Sequence, residues 1–318
     1  MCVEFTPECP WSEQFVFASE VAKAGTATQF YRSVQAGRFT KVAHGVYLPA
    51  DYWASLDADS RYLATIHAVD ATARIARVHS HLSAAALWRL PIIGPWPNRV
   101  HILAKVPMSR SRSQWTAHVS HPDPQPVIIN RLKATNLART VVDVARTAFL
   151  STSVAMADRA LSAVPASTSG VRAQRTTIDA LTAELAEGSS YGRARATTAL
   201  ELADGLSGSP GESLSRVGMH ILGLPRPVLQ HEFRDARGSM FVDFWWPEFN
   251  LIGEFDGVGK YLREELLNGQ TPAQAVMSEK ARENRLRALG PSVARWGWST
   301  ARDLRQLGRV LREAGLHD

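Results

Sequence analysis

Apolar positions are dense in residues 241–256, where aromatic and β-branched side chains on both sides of a short polar turn predict a β-hairpin. Residues 241–246 combine phenylalanine, valine and tryptophan, which favour a strand, and residues 247–250 contain the proline and asparagine of a turn. Residues 251–256 predict the second strand. Strands joined by so short a turn pair antiparallel, so we expect Asp243 and Glu254 to lie side by side.

The pattern around this hairpin predicts a mixed domain over residues 209–318. A helix that begins at Pro210 is followed by a strand at 227–234 and then by the two hairpin strands. A helix at 279–289 and a strand at 291–296 complete the domain. The predicted order of elements is therefore αβββαβ.

The N-terminal part of the chain predicts two helices followed by a short β-ribbon. We expect the helices at residues 12–23 and 26–36, and the strands at 39–43 and 46–49 around a glycine turn. This is the organisation of a winged helix-turn-helix, whose second helix enters the major groove and whose wing contacts phosphates. A solvated helix face is the alternative. The candidate DNA contacts are Thr28, Gln29, Tyr31, Arg32, Gln35, Arg38 and Lys41.

The whole chain predicts an α+β multidomain protein. We assign residues 1–57 to the winged helix-turn-helix and residues 58–162 to a mixed α/β segment. Residues 163–208 form a linker with bridging helices, because residues 163–170 are rich in proline, serine and glycine. Residues 209–318 form the αβββαβ domain.

Composition narrows the class of protein. Apolar residues make up 45% of the 318 positions, which is enough for more than one core. The net charge is +6 and the pI is about 9.6, which fits a nucleic-acid partner. Cys2 and Cys9 form no disulfide or metal pattern, and no run approaches the ~18 apolar residues that span a membrane. We therefore expect a cytoplasmic protein without a membrane partner.

Three carboxylates, those of Asp243, Glu254 and Asp256, gather on an otherwise apolar hairpin. Like charges repel and are costly to desolvate, and a hard cation such as Mg²⁺ (or Mn²⁺) stabilises them through oxygen ligands. Asp243 and Glu254 are the predicted metal ligands. Lys260 supplies a positive charge that would orient a water or stabilise a phosphate. An acid in a solvated turn is the alternative for Asp256.

These residues resemble the metal-dependent PD-(D/E)XK nuclease superfamily and, within it, a group related to the very-short-patch-repair endonucleases. The resemblance is carried by residues 242–244, 254–257 and 260–261, and by the helix that follows them. It implies a restriction-endonuclease-like core that hydrolyses phosphodiester bonds in DNA. The catalytic residues that it implies are Asp243, Glu254, Lys260, Asp256 and Glu212.

This chain departs from the superfamily pattern at one position. The superfamily's lysine usually lies two residues after the second acid, where this chain has Asp256. Lys260 would then be a migrated lysine. Glu212 has two interpretations, because Ser209 and Glu212 also form the capping box of a helix that starts with Pro210.

The C-terminal helix and strand are rich in basic residues. From residue 279 to the end there are nine Lys or Arg against five Asp or Glu. Guanidinium groups bind phosphodiesters well, so these arginines are candidate DNA contacts, whereas i,i+4 ion pairs on a solvated helix are the alternative. The candidates are Arg282, Arg285, Arg287 and Arg295.

A second resemblance concerns the N-terminal part. Residues 37–49 and 78–88 are similar to the winged-helix domain of AbiEi-type antitoxins. The likeness implies a DNA-binding regulator with a cognate toxin as partner, and a homodimer would suit paired half-sites. Three functions stay open: a DNA nuclease, an antitoxin-like transcriptional regulator whose nuclease-like domain is inactive, and a toxin-neutralising partner whose DNA role is secondary. Asp256 at the usual lysine position favours the regulator.

Overall fold

The computed structural model describes residues 2–3, 11–104, 114–119, 125–162, 175–257 and 272–317. Within these ranges the protein is α+β, with thirteen α-helices and three β-sheets. The chain forms two compact units. The first unit is Met1–Phe149 with Pro165–Leu200, and the second unit is Leu150–Val164 with Glu201–Asp318. The predicted linker at 163–170 lies outside the described residues.

The helices and strands are numbered in chain order. The helices are α1 Ala18–Lys23, α2 Ala27–Gln35, α3 Ala50–Ser55, α4 Ala58–Ala71, α5 His81–Leu87, α6 Leu137–Thr147, α7 Leu150–Leu161, α8 Ile178–Glu187, α9 Arg193–Leu202, α10 Pro210–Ile221, α11 Pro272–Ala288, α12 Trp298–Arg302 and α13 Leu304–Glu313. The strands are β1 Cys2–Val3, β2 Val16–Phe17, β3 Phe39–Ala43, β4 Val46–Pro49, β5 Val78–His79, β6 Val100–Ala104, β7 Trp115–Val119, β8 Val127–Ile129, β9 Leu132–Ala134, β10 Val228–Asp235, β11 Gly238–Trp246, β12 Leu251–Asp256 and β13 Ser292–Gly297. In the part of the chain described here, no helix combines the length and apolar character needed to cross a bilayer.

Elements β2, α1, α2, β3 and β4 follow one another in the first unit, and these three strands form an antiparallel sheet in the order β2-β4-β3. The second predicted helix and both predicted strands are confirmed as α2, β3 and β4. The helix predicted at 12–23 is wrong in its first half, because α1 begins at Ala18 and Val16–Phe17 pair with Tyr47 and Val46. β-Branched and aromatic side chains favour a strand once a partner strand is available.

The remainder of the first unit is organised around a six-stranded sheet in the order β1-β8-β9-β5-β6-β7. Helix α5 contacts β6 and α6, and α6 contacts α8. Val141, Val144 and Ala145 of α6 are fully buried. Asn136 fixes the start of α6, because its side-chain oxygen accepts a hydrogen bond from the Arg139 amide at 2.8 Å.

The second unit follows the predicted order α10, β10, β11, β12, α11, β13. Its sheet runs β10-β11-β12-β13, with antiparallel pairs up to β12 and a parallel β12–β13 pair. Apolar cores cover both faces. One core joins strand side chains such as Phe244 and Trp296 to Met219 of α10 and Leu307 of α13, and the other packs Leu286 of α11 on β11 and β12. Helices α7, α12 and α13 were not predicted.

Close packing fixes the start of α10 against β12. A methyl group on Gly211 would lie 2.0 Å from the Phe255 ring, so this approach requires glycine. A buried ion pair, Arg216 Nη1 to Asp158 Oδ2 at 3.0 Å, joins α10 to α7, and the Ser213 hydroxyl donates to the same oxygen at 2.7 Å. These contacts hold the first turn of α10 beside the strand that carries Glu254.

Candidate functional site

Helix α2 presents a polar face to solvent because its apolar face is anchored inside the first unit. Phe30 is buried, and its ring centroid lies 5.2 Å from that of Phe39 and 5.1 Å from that of Tyr47. All seven candidate DNA contacts are exposed, and we call them the α2–β3 surface. It consists of Thr28, Gln29, Tyr31, Arg32, Gln35, Arg38 and Lys41.

The predicted metal ligand Glu254 lies on β12 and is 9% exposed. Arg282 of α11 donates to both of its oxygens, Nη1 to Oε2 and Nη2 to Oε1, each at 2.9 Å. Arg295 lies opposite Glu254 in the parallel ladder, with its Nη2 3.6 Å from Oε2 and its Nε 3.5 Å from the Glu283 carboxylate. We call these four residues the Glu254 cluster. It joins a predicted metal ligand to two predicted DNA contacts.

Asp243 lies where the β11 pairing becomes irregular. In the β10–β11 ladder Phe244 and Val242 have partners, and β11 pairs with β12 only from Phe244 onward. Asp243 Oδ2 accepts a hydrogen bond from the Phe255 amide at 2.8 Å. The Asp243 carboxylate therefore reaches the β12 backbone at the residue next to Glu254.

Ser209 caps the start of α10, and the Glu212 carboxylate turns back onto this cap. The Glu212 amide donates to the Ser209 hydroxyl oxygen at 3.3 Å, and that hydroxyl donates to Glu212 Oε1 at 2.8 Å. The Gly208 amide and the Gln230 side chain donate to Oε2 at 2.7 and 3.3 Å. The carboxylate therefore has at least three donors within this turn and the adjacent strand.

The remaining predicted C-terminal residues are placed as follows. Asp256 ends β12 opposite Gly297, and Lys260 lies outside the described residues. Arg285 binds both oxygens of Asp235 at 2.7 and 2.6 Å, and these hydrogen bonds lower the pKa of the Asp235 carboxyl to about 2. Arg287 pairs with Glu283 at 2.8 Å, four residues earlier on the same helix.

The carboxylate oxygens of Asp243 and Glu254 are suitable ligands for a hard cation, but they already accept hydrogen bonds from the Phe255 amide and from Arg282. Carboxylate oxygens are what Mg²⁺ prefers, and Asp243 and Glu254 come from neighbouring strands. Among the described residues, no group of three or more His, Cys, Asp or Glu side chains is arranged to hold a metal ion. A cation at Glu254 would have to replace Arg282.

The fold also assembles a histidine cluster that sequence spacing does not reveal. The ring of His118 stacks on that of His81 at 3.6 Å, and its Nε2 lies 3.0 Å from His101 Nδ1. Asp143 Oδ2 lies 3.9 Å from His81 Nδ1, while Oδ1 accepts from Arg139 at 2.8 Å. These residues come from α5, β6, β7 and α6, so only the folded sheet brings them together.

Burial sets the protonation of this cluster. It lowers the pKa of His101 to about 4 and lowers the pKa values of His81 and His118, and the neighbouring imidazoles add to the effect at His81 and His101. Burial also raises the pKa of Asp143 to about 6, because desolvation outweighs the attraction of Arg139. The three imidazoles are therefore neutral at pH 7.

Comparison with known proteins gives a partial likeness. No protein-family model matches the chain. The uncharacterized proteins MT2308 and Rv2248 of two Mycobacterium tuberculosis strains (CDC 1551 / Oshkosh and ATCC 25618 / H37Rv) are each 35% identical over 101 residues. The match covers 31% of this chain and 36% of each relative, so the chain spans about a third of their length. Their names state no activity.

We predict that acidification from pH 7 to pH 5 destabilises the protein through the histidine cluster. A histidine with a depressed folded pKa takes up its proton more readily in the unfolded chain, whose histidine pKa is about 6.5. The unfolding free energy is therefore unaffected above that pKa and decreases as the pH falls from it toward the folded pKa. His101 alone is expected to cost on the order of 1–2 kcal/mol at pH 5, and Asp143 acts in the opposite direction. Urea unfolding at both pH values measures the change.

The matched variants are His101→Gln and His44→Gln, of which His44 is exposed. His101→Gln should reduce the loss of unfolding free energy between pH 7 and pH 5, whatever its effect at pH 7. His44→Gln should keep the wild-type pH dependence. An unchanged pH dependence in His101→Gln would show that this histidine is not a source of the acid sensitivity.

Proposed function

We propose that this chain is a DNA-binding protein that uses the α2–β3 surface. The observation that carries the proposal is that Phe30 anchors one side of α2 while every candidate contact on its other side faces solvent. The succession of α1, α2 and the β3–β4 ribbon supports the proposal, because two helices followed by a β-ribbon are expected of a winged helix-turn-helix. A helix with an exposed polar face fits the major groove, which is about 12 Å wide.

The side chains of this surface match the two kinds of contact that DNA offers. Arg32, Arg38 and Lys41 carry the charge that phosphates attract, and the net charge of +6 supports long-range attraction. Gln29 and Gln35 carry amides that suit base edges. Phosphate contacts would fix the register of the helix, and amide contacts would supply selectivity.

The proposal makes a prediction about DNA affinity. Arg32→Ala and Arg38→Ala should each weaken binding to a double-stranded site by roughly tenfold and lower the salt slope of binding by about one unit, because each removes one phosphate contact. The site is first selected from a random duplex pool, and fluorescence anisotropy at several salt concentrations measures affinity. Arg74→Ala, an exposed arginine of the same unit, is the control. Wild-type affinity and salt slope in both variants would refute the proposal.

A second candidate function is metal-dependent hydrolysis of DNA by the second unit. It is favoured by the αβββαβ order and by the hydrogen bond that ties Asp243 to the strand of Glu254. Asp243 and Glu254 would hold Mg²⁺ or Mn²⁺, which when bound polarises a phosphoryl oxygen and acidifies a water. Lys260 would orient that water, and Glu212 and Asp256 would act as accessory acids. The αβββαβ domain would then be a restriction-endonuclease-like core.

The alternative is a transcriptional regulator of the antitoxin type whose nuclease-like domain is inactive. The contacts of Arg282 with both Glu254 oxygens and the presence of Asp256 at the usual lysine position support it. This alternative includes a cognate toxin as partner and a homodimer on paired half-sites. DNA binding by the first unit is common to both functions.

Plasmid nicking separates these two functions. If the second unit is a nuclease, purified protein nicks plasmid DNA with Mg²⁺ or Mn²⁺, and Asp243→Ala or Glu254→Ala lowers the rate at least a hundredfold, because each removes a metal ligand. Glu248→Ala, which removes an exposed acid from the same hairpin, should keep the wild-type rate. DNA binding without nicking under either metal would establish the regulator instead.

A further inference from the structure

A bidentate ion pair in the second unit occupies the carboxylate that a metal would need. Glu254 is nearly buried, and an isolated buried carboxylate is costly, so it requires compensation. Arg282 supplies that compensation with two parallel hydrogen bonds of 2.9 Å, the geometry in which a guanidinium binds a carboxylate best. Both Glu254 oxygens are therefore engaged.

The Glu254 cluster carries no excess of negative charge. It contains two carboxylates, from Glu254 and Glu283, and two guanidinium groups, from Arg282 and Arg295, and Arg287 also pairs with Glu283. A divalent cation at Glu254 would place two further positive charges beside Arg282, in a site where burial reduces screening. A divalent cation and the Arg282 guanidinium therefore compete for the Glu254 carboxylate.

Helix α11 can stay in place when Arg282 moves. Leu286 is fully buried against Met240, Val242 and Ile252, so it anchors the helix. Arg285 ties the helix to Asp235 by a second pair of hydrogen bonds. The side chain of Arg282 is itself 27% exposed, which leaves it a route to solvent and to an anion.

We infer that Arg282 is a latch on the Glu254 carboxylate, an inference that rests on the proposed nuclease function. In the free protein Arg282 fills the position of the cation. A phosphodiester backbone offers its guanidinium an alternative anion, so DNA binding frees Glu254 for the metal. Metal and DNA consequently bind cooperatively, and each raises the affinity of the other by the same factor.

The test measures Mn²⁺ affinity rather than cleavage. Free Mn²⁺ is followed by electron paramagnetic resonance while the full-length protein is titrated without DNA. Arg282→Gln should bind Mn²⁺ roughly tenfold more tightly than wild type, because the bidentate competitor is gone. Arg282→Lys keeps the positive charge but loses the paired hydrogen bonds of the guanidinium, so its Mn²⁺ affinity should lie between those of wild type and Arg282→Gln. Arg309→Gln, which removes an exposed arginine from the same unit, should match wild type.

A second arm adds a short duplex oligonucleotide. It should tighten Mn²⁺ binding in wild type and have a much smaller effect in Arg282→Gln. Circular dichroism and thermal melts establish that each variant is folded.

The outcomes separate the latch from the metal site. An Arg282→Gln affinity equal to or weaker than wild type overturns the latch, while loss of binding in Glu254→Gln would still support a metal site. Mn²⁺ binding that is undetectable both in Arg282→Gln and in wild type with the duplex, or binding that Glu254→Gln leaves unchanged, overturns the latch together with the nuclease proposal.

Discussion

The ion pair between Glu254 and Arg282 is the contact on which the candidate site of the second unit depends. Strand β12 lies between β11 and β13, and a carboxylate on such a strand loses most of its hydration. Arg282 replaces that hydration and, in doing so, ties α11 to the sheet. Leu286 and Arg285, on the same helix, add an apolar and a polar anchor. Three contacts thus hold α11 on the sheet, and the one made by Arg282 also compensates the charge of Glu254.

The same contact distinguishes the two proposed functions of the second unit, which differ in whether Glu254 is paired with Arg282. A nuclease needs Glu254 available to a cation, whereas a regulator gains a rigid domain if the carboxylate stays paired. Under the proposed latch, Arg282 changes its partner between these states. The Phe255 amide is held by Asp243 and its ring packs against Gly211, and neither contact involves Arg282.

In the first unit, aromatic packing determines which face of α2 is exposed. Phe30 fills the space beneath α2, and its ring packs against Phe39 and Tyr47 of the β-ribbon. The polar residues of the helix are therefore on the solvent side. Deeper in the unit, the histidine cluster is a polar group in an apolar setting. It is tolerated because neutral imidazoles can stack and share a hydrogen bond.

Local pattern predicted much of this fold, and long-range pairing accounts for what it missed. The β3 and β4 bounds and the αβββαβ order follow from short-range alternation and turn residues. The start of α1 was misplaced because Val16 and Phe17 find their partner strand about thirty residues later. Local pattern also placed the acids on neighbouring strands. It did not place Arg282 on Glu254, since that pair is 28 residues apart and is set by how α11 packs.

The most direct test of the central claim is a double-mutant cycle on the Glu254–Arg282 pair. Unfolding free energies of wild type, Glu254→Gln, Arg282→Gln and the double variant give the coupling between the two side chains. A nearly buried bidentate pair predicts a favourable coupling of about 2–3 kcal/mol. The losses of unfolding free energy in the two single variants should then add up to more than the loss in the double variant. A coupling below about 0.5 kcal/mol would contradict the account, because the two residues would then contribute independently.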